Sequence, residues 1–320
     1  MSLLTKQRHW LPSKYGVVRT AMVVTSALMA AVGPAPADTT EHKYLIQARQ
    51  LEDVGGSERI NYSGKLRMLS QRIPAATRNL VAGHEVDLAR DMLAGATAEF
   101  TKIANALEHG APDLNINGEE HRRKTLVAIT KLNSVWEPFA NATVAILNGD
   151  HGQAQLDTVL DGNMDLLARA KLLVSEISGE YANPAEMTQA DALLVDISGR
   201  QRMLTQKMAK EACLLYTDRG TETTASDLSG TAQTFHLSLT ALTDGMPEAG
   251  ILEAPTPEIR DGLDVVWSSW TLVKPKLEKL IAGDQLTDAE QADVFLLLNT
   301  ALRDMNTVVG MYSNYAKRML

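Results

Sequence analysis

From Tyr62 onward the apolar positions recur at steps of 4, 3, 4, 3 and 4, through Leu66, Leu69, Ile73, Ala76 and Leu80. That spacing is the seam of a helix packed in a bundle. A second stripe lies 135 residues later at Ile197, Gln201, Leu204, Met208, Glu211 and Leu215, two of its six places now polar. Capping signals mark helix starts: Asn117 before Glu120, Asn183 before Pro184 and Glu186, Thr256 before Pro257, and Thr287 before Glu290. Breaks fall at Gly110 to Pro112, Gly149 to Gly152, Gly245 to Pro255 and Gly283. Together these predict helices over 41–82, 86–108, 118–148, 151–181, 185–218, 226–243, 257–282 and 288–319.

Eight helices fall into two sets of four, and the halves correspond. Phe100 maps onto Phe235, Leu107 onto Leu242, Gly110 onto Gly245, Leu167 onto Leu302 and Val174 onto Val309, all at a shift of 135. Trp136 meets Trp270 at 134, so one small deletion lies between. A unit of that size is too large for a solenoid repeat and suits a bundle domain. The expected fold is therefore all-α, two tandem up-down four-helix bundles over 38–183 and 184–320, with a seam at Asn183-Pro184.

The stripe explains packing but not the polar set beside it. Ser63, Arg67, Ser70 and Gln71 lie at i, i+4, i+7 and i+8, on one face, and recur as Ser198, Arg202, Thr205 and Gln206. An arginine flanked by hydroxyls and an amide is a small anion receptor, because the guanidinium offers a planar fork of donors and its neighbours add neutral hydrogen bonds. Gly64 and Gly199 each cost about 1 kcal/mol relative to Ala inside a helix, a cost that points to close approach of a backbone or a ligand. The same residues equally serve to bridge packed helices, and both readings stand at this point.

Composition adds an address. Lys6, Arg8, Lys14 and Arg19 precede the apolar stretch Thr20 to Val32, which ends in Gly-Pro-Ala-Pro-Ala. This is the layout of a secretory signal peptide, cut after Ala37. Thirteen residues rise only about 20 Å as a helix, too little for a membrane core of about 30 Å. A freely soluble periplasmic protein without membrane insertion is expected. The first 37 residues carry four of the 31 Lys and Arg and none of the 39 Asp and Glu, so without them the formal charge falls from −8 to −12. Such acidity argues against nucleic acid as a partner. The single Cys213 cannot form an internal disulfide and sits in an apolar segment as a small hydrophobe.

The string INYSGKLRMLSQRI, Ile60 to Ile73, resembles the signature helix of the N-terminal sensory domain of type IV pilus methyl-accepting chemotaxis transducers, the PilJ-type domain. It is similar also to the P-box of bacterial nitrate/nitrite sensor kinases. DISGRQRMLTQKM, Asp196 to Met208, matches the same pattern. The resemblance implies a periplasmic four-helix bundle. It implies too that Arg67, and Arg202 in the copy, stand where the sensors bind their anion between the first helices of two subunits. Partners it suggests are a small anion such as nitrate or nitrite, a membrane-bound receptor or sensor kinase, and a second copy in a homodimer. An interaction or scaffold role, with the signature helices mediating dimerisation or docking, is the alternative.

Two departures qualify the resemblance. Family members continue through a second membrane helix into a signalling module, whereas this sequence ends at Leu320, which predicts relay through a separate protein. Pro74 follows Gln71 closely where the copy has Ala209, so a kink is expected there. The seven histidines lack metal-ligand spacing, and neither a nucleophile motif nor a phosphate loop occurs. No cofactor and no enzymatic activity are expected. Met203 and Met208 read as core, and Glu119 to Lys124 as a solvated charge run.

Overall fold

A computed structural model describes residues 39–181, 189–217 and 219–318. The expected signal peptide and the seam at Asn183-Pro184 lie outside them. Residues 45–320 form one compact unit. The helices are α1 (Thr39–Ala82), α2 (Val86–His109), α3 (Arg123–Leu147), α4 (Gln153–Leu160), α5 (Asn163–Tyr181), α6 (Gln189–Tyr216), α7 (Thr224–Asp244), α8 (Pro257–Ala282) and α9 (Asp288–Arg318). Among the described residues there is no strand beyond two isolated bridges, Ala111 with Ile116 and Met246 with Ile251. The architecture is all-α, as the periodicity predicts.

The duplication holds in three dimensions down to its loops. Each second helix ends on a glycine with φ 81°, Gly110 and Gly245, followed by a bridge that encloses one 3-10 turn. A side chain at Gly110 would meet the Gly118 carbonyl at 2.7 Å, so the left-handed turn and the tight loop both demand glycine. In the second repeat α6 packs on α7 and α9, and α8 packs on both of these. In the first, α3 packs on α2, α4 and α5, while Arg59 and Lys65 tie α1 to α2. Each core holds an aromatic pair at matching positions. Phe100 stacks on Trp136 with centroids 3.9 Å apart, and Phe235 tilts against Trp270 at 4.8 Å.

Three local expectations change. The fourth helix is broken in two at Asp161-Gly162, where a side chain on Gly162 would run into the Thr158 carbonyl. The third helix starts at Arg123 rather than 118, because Glu120 turns inward instead of capping. Its carboxylate lies 3.7 Å from Arg59, accepts the amides of His121 and Arg122, and takes the Tyr181 hydroxyl at 2.7 Å. Arg59, 2% exposed, also donates to the carbonyls of Leu107 and Gly118. Thus the charge run at 119–124 is not wholly a solvated face. Pro74 lies within α1, which runs on to Ala82. Proline has no N–H for the Ser70 carbonyl one turn back, and the side-chain amide of Gln71 donates to that carbonyl at 3.2 Å.

Other expectations hold. Thr256 accepts the Ile259 amide, and Thr287 and Glu290 form a reciprocal capping box. Cys213 is buried, its thiol pushed up to about 11 by burial, and Met203 and Met208 lie in the core. No described helix is long and apolar enough to cross a membrane.

Candidate functional site

The two signature helices lie side by side and run in the same direction. Successive links climb both together: Arg67 to Asp196, Arg72 to Gln206, then Asn79 to Tyr216. Their polar faces are thereby turned toward each other inside one chain.

At the centre stand Arg67 and Arg202. The position that a Cβ on Gly64 would take lies 3.5 Å from one Nη2 and 3.8 Å from the other; for Gly199 the distances are 3.6 Å from Arg202 and 3.8 Å from Arg67. The near equality is what an approximate two-fold relation between the repeats requires. These glycines face the ends of the arginines. No backbone presses on them, and a methyl group would fit in ordinary contact. The space they leave open is therefore next to two guanidinium groups.

Both cations are buried, at 8% and 5% exposure. Arg67 meets Asp196 at 3.1 Å, yet its Nε is buried without a partner. Among the described residues no carboxylate contacts Arg202. Nε reaches the Gly199 carbonyl at 3.5 Å and Nη1 reaches Asn306 at 3.3 Å, both long and both neutral acceptors. Burial, and then the charge of Arg67, push the Arg202 guanidinium down to about 10, with Glu99 acting weakly the other way. Burial also lowers Arg67, and Asp196 opposes that shift. Two neighbouring desolvated like charges, only one of them against a carboxylate, are a costly arrangement, and an anion between them relieves it.

The hydroxyls of the predicted face play another part. Ser63, Ser70, Ser198 and Thr205 are fully buried and donate to carbonyls three residues back in their own helices, those of Ile60, Arg67, Val195 and Arg202. Their protons are engaged and do not point at a ligand. Gln71 and Gln206 are buried one turn beyond the arginine pair, where each receives a cation from the opposite signature helix. Lys210 donates to the Gln71 carbonyl oxygen at 3.0 Å and to Asn163 at 2.9 Å. Arg72 donates to Gln206 at 3.4 Å and to Asn299 at 3.0 Å. Burial pushes Lys210 down to about 8, countered by Glu211.

Of the predicted residues, Arg67, Arg202, Gly64 and Gly199 thus converge on one spot. The hydroxyls support the helices there, and the glutamines form two flanking clusters. Asp196, Arg72, Lys210, Asn163, Asn299 and Asn306 escape sequence reasoning. One signal lay in view: Asp196 occupies the place of Asn61, the one change within the signature that adds a charge without removing one.

The family model for the type IV pili methyl-accepting chemotaxis transducer N-terminal domain, PilJ, matches residues 52–162 and again 185–295. No curated protein matches the chain. With both signature stretches, 60–73 and 196–208, inside the matched ranges and each on the first helix of its repeat, the chain belongs to the PilJ family and carries that transducer domain in two tandem copies.

Proposed function

We propose that the chain is a periplasmic, non-enzymatic sensory module that binds one small anion, nitrate- or nitrite-like, between its repeats and relays occupancy to a separate receptor. The observation that carries this reading is the pair of buried guanidinium groups, Arg67 and Arg202, converging beside two glycines with a carboxylate against Arg67 alone. In this arrangement the two copies supply from a single chain the pairing of first helices between which the related sensors hold their anion. The secretory layout of residues 1–37 supports the location.

Thermal unfolding of the purified protein against sodium nitrate, nitrite and chloride tests the reading. A ligand at a hundred times its dissociation constant adds about 2.7 kcal/mol to stability. A midpoint that rises with nitrate or nitrite, and does not rise in Arg67→Ala or Arg202→Ala, is the expected result. An unmoved midpoint at ten millimolar counts against it.

A second reading, an interaction scaffold, draws on the fact that the signature helices do pair. They pair within the chain, however, so a second copy would have to use another surface. Light scattering separates the readings: loss of a dimer in the two arginine variants, with no response to any anion in the unaltered protein, favours the scaffold.

A further inference from the structure

The two halves of the arginine site are not equivalent in charge. Arg67 is held by Asp196, whose second oxygen contacts Arg200 on the outer side. By the relation between repeats, Asn61 stands to Arg202 as Asp196 stands to Arg67. Accordingly the described side chains place a carboxylate against one guanidinium and only neutral acceptors against the other.

We infer that Asp196 is the specificity-determining residue of this site: it neutralises one side, so that the site takes a monoanion seated mainly on Arg202 and refuses a dianion. The inference rests on the anion-binding reading above and deepens it to a ligand charge. Two facing guanidinium groups alone would favour a doubly charged oxyanion such as sulfate, since each added negative charge gains attraction to both cations in a site screened from water. A carboxylate 3.1 Å from Arg67 removes that advantage. It repels an incoming anion and occupies one of the donors a bidentate ligand needs. Arg202, desolvated and close to Arg67, keeps its Nη2 toward the shared space, holds its other nitrogens only by long bonds to neutral acceptors, and becomes the principal donor. The side chain of Asp196 is about one-third exposed, so its substitution leaves the buried packing undisturbed.

The experiment is calorimetric titration with sodium nitrate and with sodium sulfate at constant ionic strength, on the unaltered protein, on Asp196→Asn and on Asn61→Asp. The unaltered protein is expected to bind nitrate and to show no heat with sulfate. Asp196→Asn, which makes the two sides alike, is expected to bind nitrate about tenfold tighter and to accept sulfate. Asn61→Asp gives Arg202 a carboxylate of its own and is expected to weaken nitrate at least tenfold. If Asp196→Asn binds nitrate as the unaltered protein does and still rejects sulfate, charge selection by Asp196 is overturned while anion binding stands. Equal binding of sulfate and nitrate by the unaltered protein overturns it as well. If none of the three proteins responds to either anion, the anion reading falls and takes this inference with it.

Discussion

The two repeats share a fold and a signature, yet they hold their first helices by different chemistry. In the first, α1 is clasped by charge: Arg59 and Glu120 are buried together, with Tyr181 between Arg59 and Arg122 at 5.3 and 3.8 Å. In the second, the matching positions are Leu194, Ala254 and Ala316, and the same junction is apolar. The core stripe diverges likewise. Leu66 faces its bundle where the copy has Gln201, and Ala76 corresponds to Glu211, which pairs with Lys207. What both copies keep is the stretch around the two arginines by which α1 and α6 meet. A bundle requires only volume and a filled interior, which several side-chain sets supply. A site at an internal two-fold requires particular groups from both sides, and there the copies agree except at Asn61 and Asp196.

The largest expected difference between the repeats lies at the clasp. Arg59→Ala leaves Glu120 buried beside an empty space, and is expected to cost about 3 kcal/mol in urea denaturation. Leu194→Ala in the second repeat loses apolar burial alone, also about 3 kcal/mol. The distinction is that Glu120→Gln should recover part of the first loss and none of the second.

A smaller effect comes from Lys210, whose counterpart in the first repeat is the buried Ala75. The ammonium titrates near 8 in the folded state and near 10.5 when unfolded, so between these values the unfolded chain binds more protons. Lys210 alone then makes stability rise with pH, by about 2 kcal/mol from pH 8 to 10. The Cys213 thiol, raised by burial from 9.0 to about 11, acts in the opposite sense over the same range. The Lys210 contribution is therefore the difference between the unaltered protein and Lys210→Met, which should grow by that amount from pH 8 to 10. Above pH 10 the buried hydroxyls of Tyr181, Tyr216 and Tyr312, all pushed up by burial, also oppose the rise.

Next in size are the paired glycines. Gly64→Ala and Gly199→Ala fit without a clash, and each is expected to raise stability by about 1 kcal/mol through helix propensity. If the open space is there for a ligand, each variant loses nitrate response while becoming more stable. The two effects moving in opposite directions would separate a binding role from a packing one.

The smallest change is at Gln201. Its Nε2 donates to the Phe235 carbonyl at 2.9 Å, but its Oε1 is buried without a partner. Gln201→Leu, which copies Leu66, should stabilise by up to about 1 kcal/mol, as an unsatisfied acceptor is removed. The reverse change, Leu66→Gln, should destabilise by more than that.

Much of the fold could be read from periodicity and caps. The limits of α8 are those the cap at Thr256 and the break at Gly283 predict, and α2, α7 and α9 agree within two residues. The misses have a common cause. Glu120 looks like a capping acid until Arg59, some sixty residues earlier, draws it inward. Gly162 reads as one glycine in an amphipathic run until the chain bends at it. Both depend on contacts distant in sequence or on backbone geometry, which a local pattern does not carry. At the site, the side chains of Arg67 and Arg202 were visible because they repeat. Their convergence was not, since it follows from the parallel docking of α1 on α6. The hydroxyls were visible too, but a buried Ser or Thr in a helix turns readily to its own backbone, and these do.

The central claim is that two repeats build one site. Titration calorimetry with sodium nitrate on the unaltered protein, Arg67→Ala and Arg202→Ala tests it most directly. One nitrate per chain, lost in either variant alone, is expected. Two nitrates per chain, half the binding retained in each variant, or no binding by the unaltered protein would contradict it.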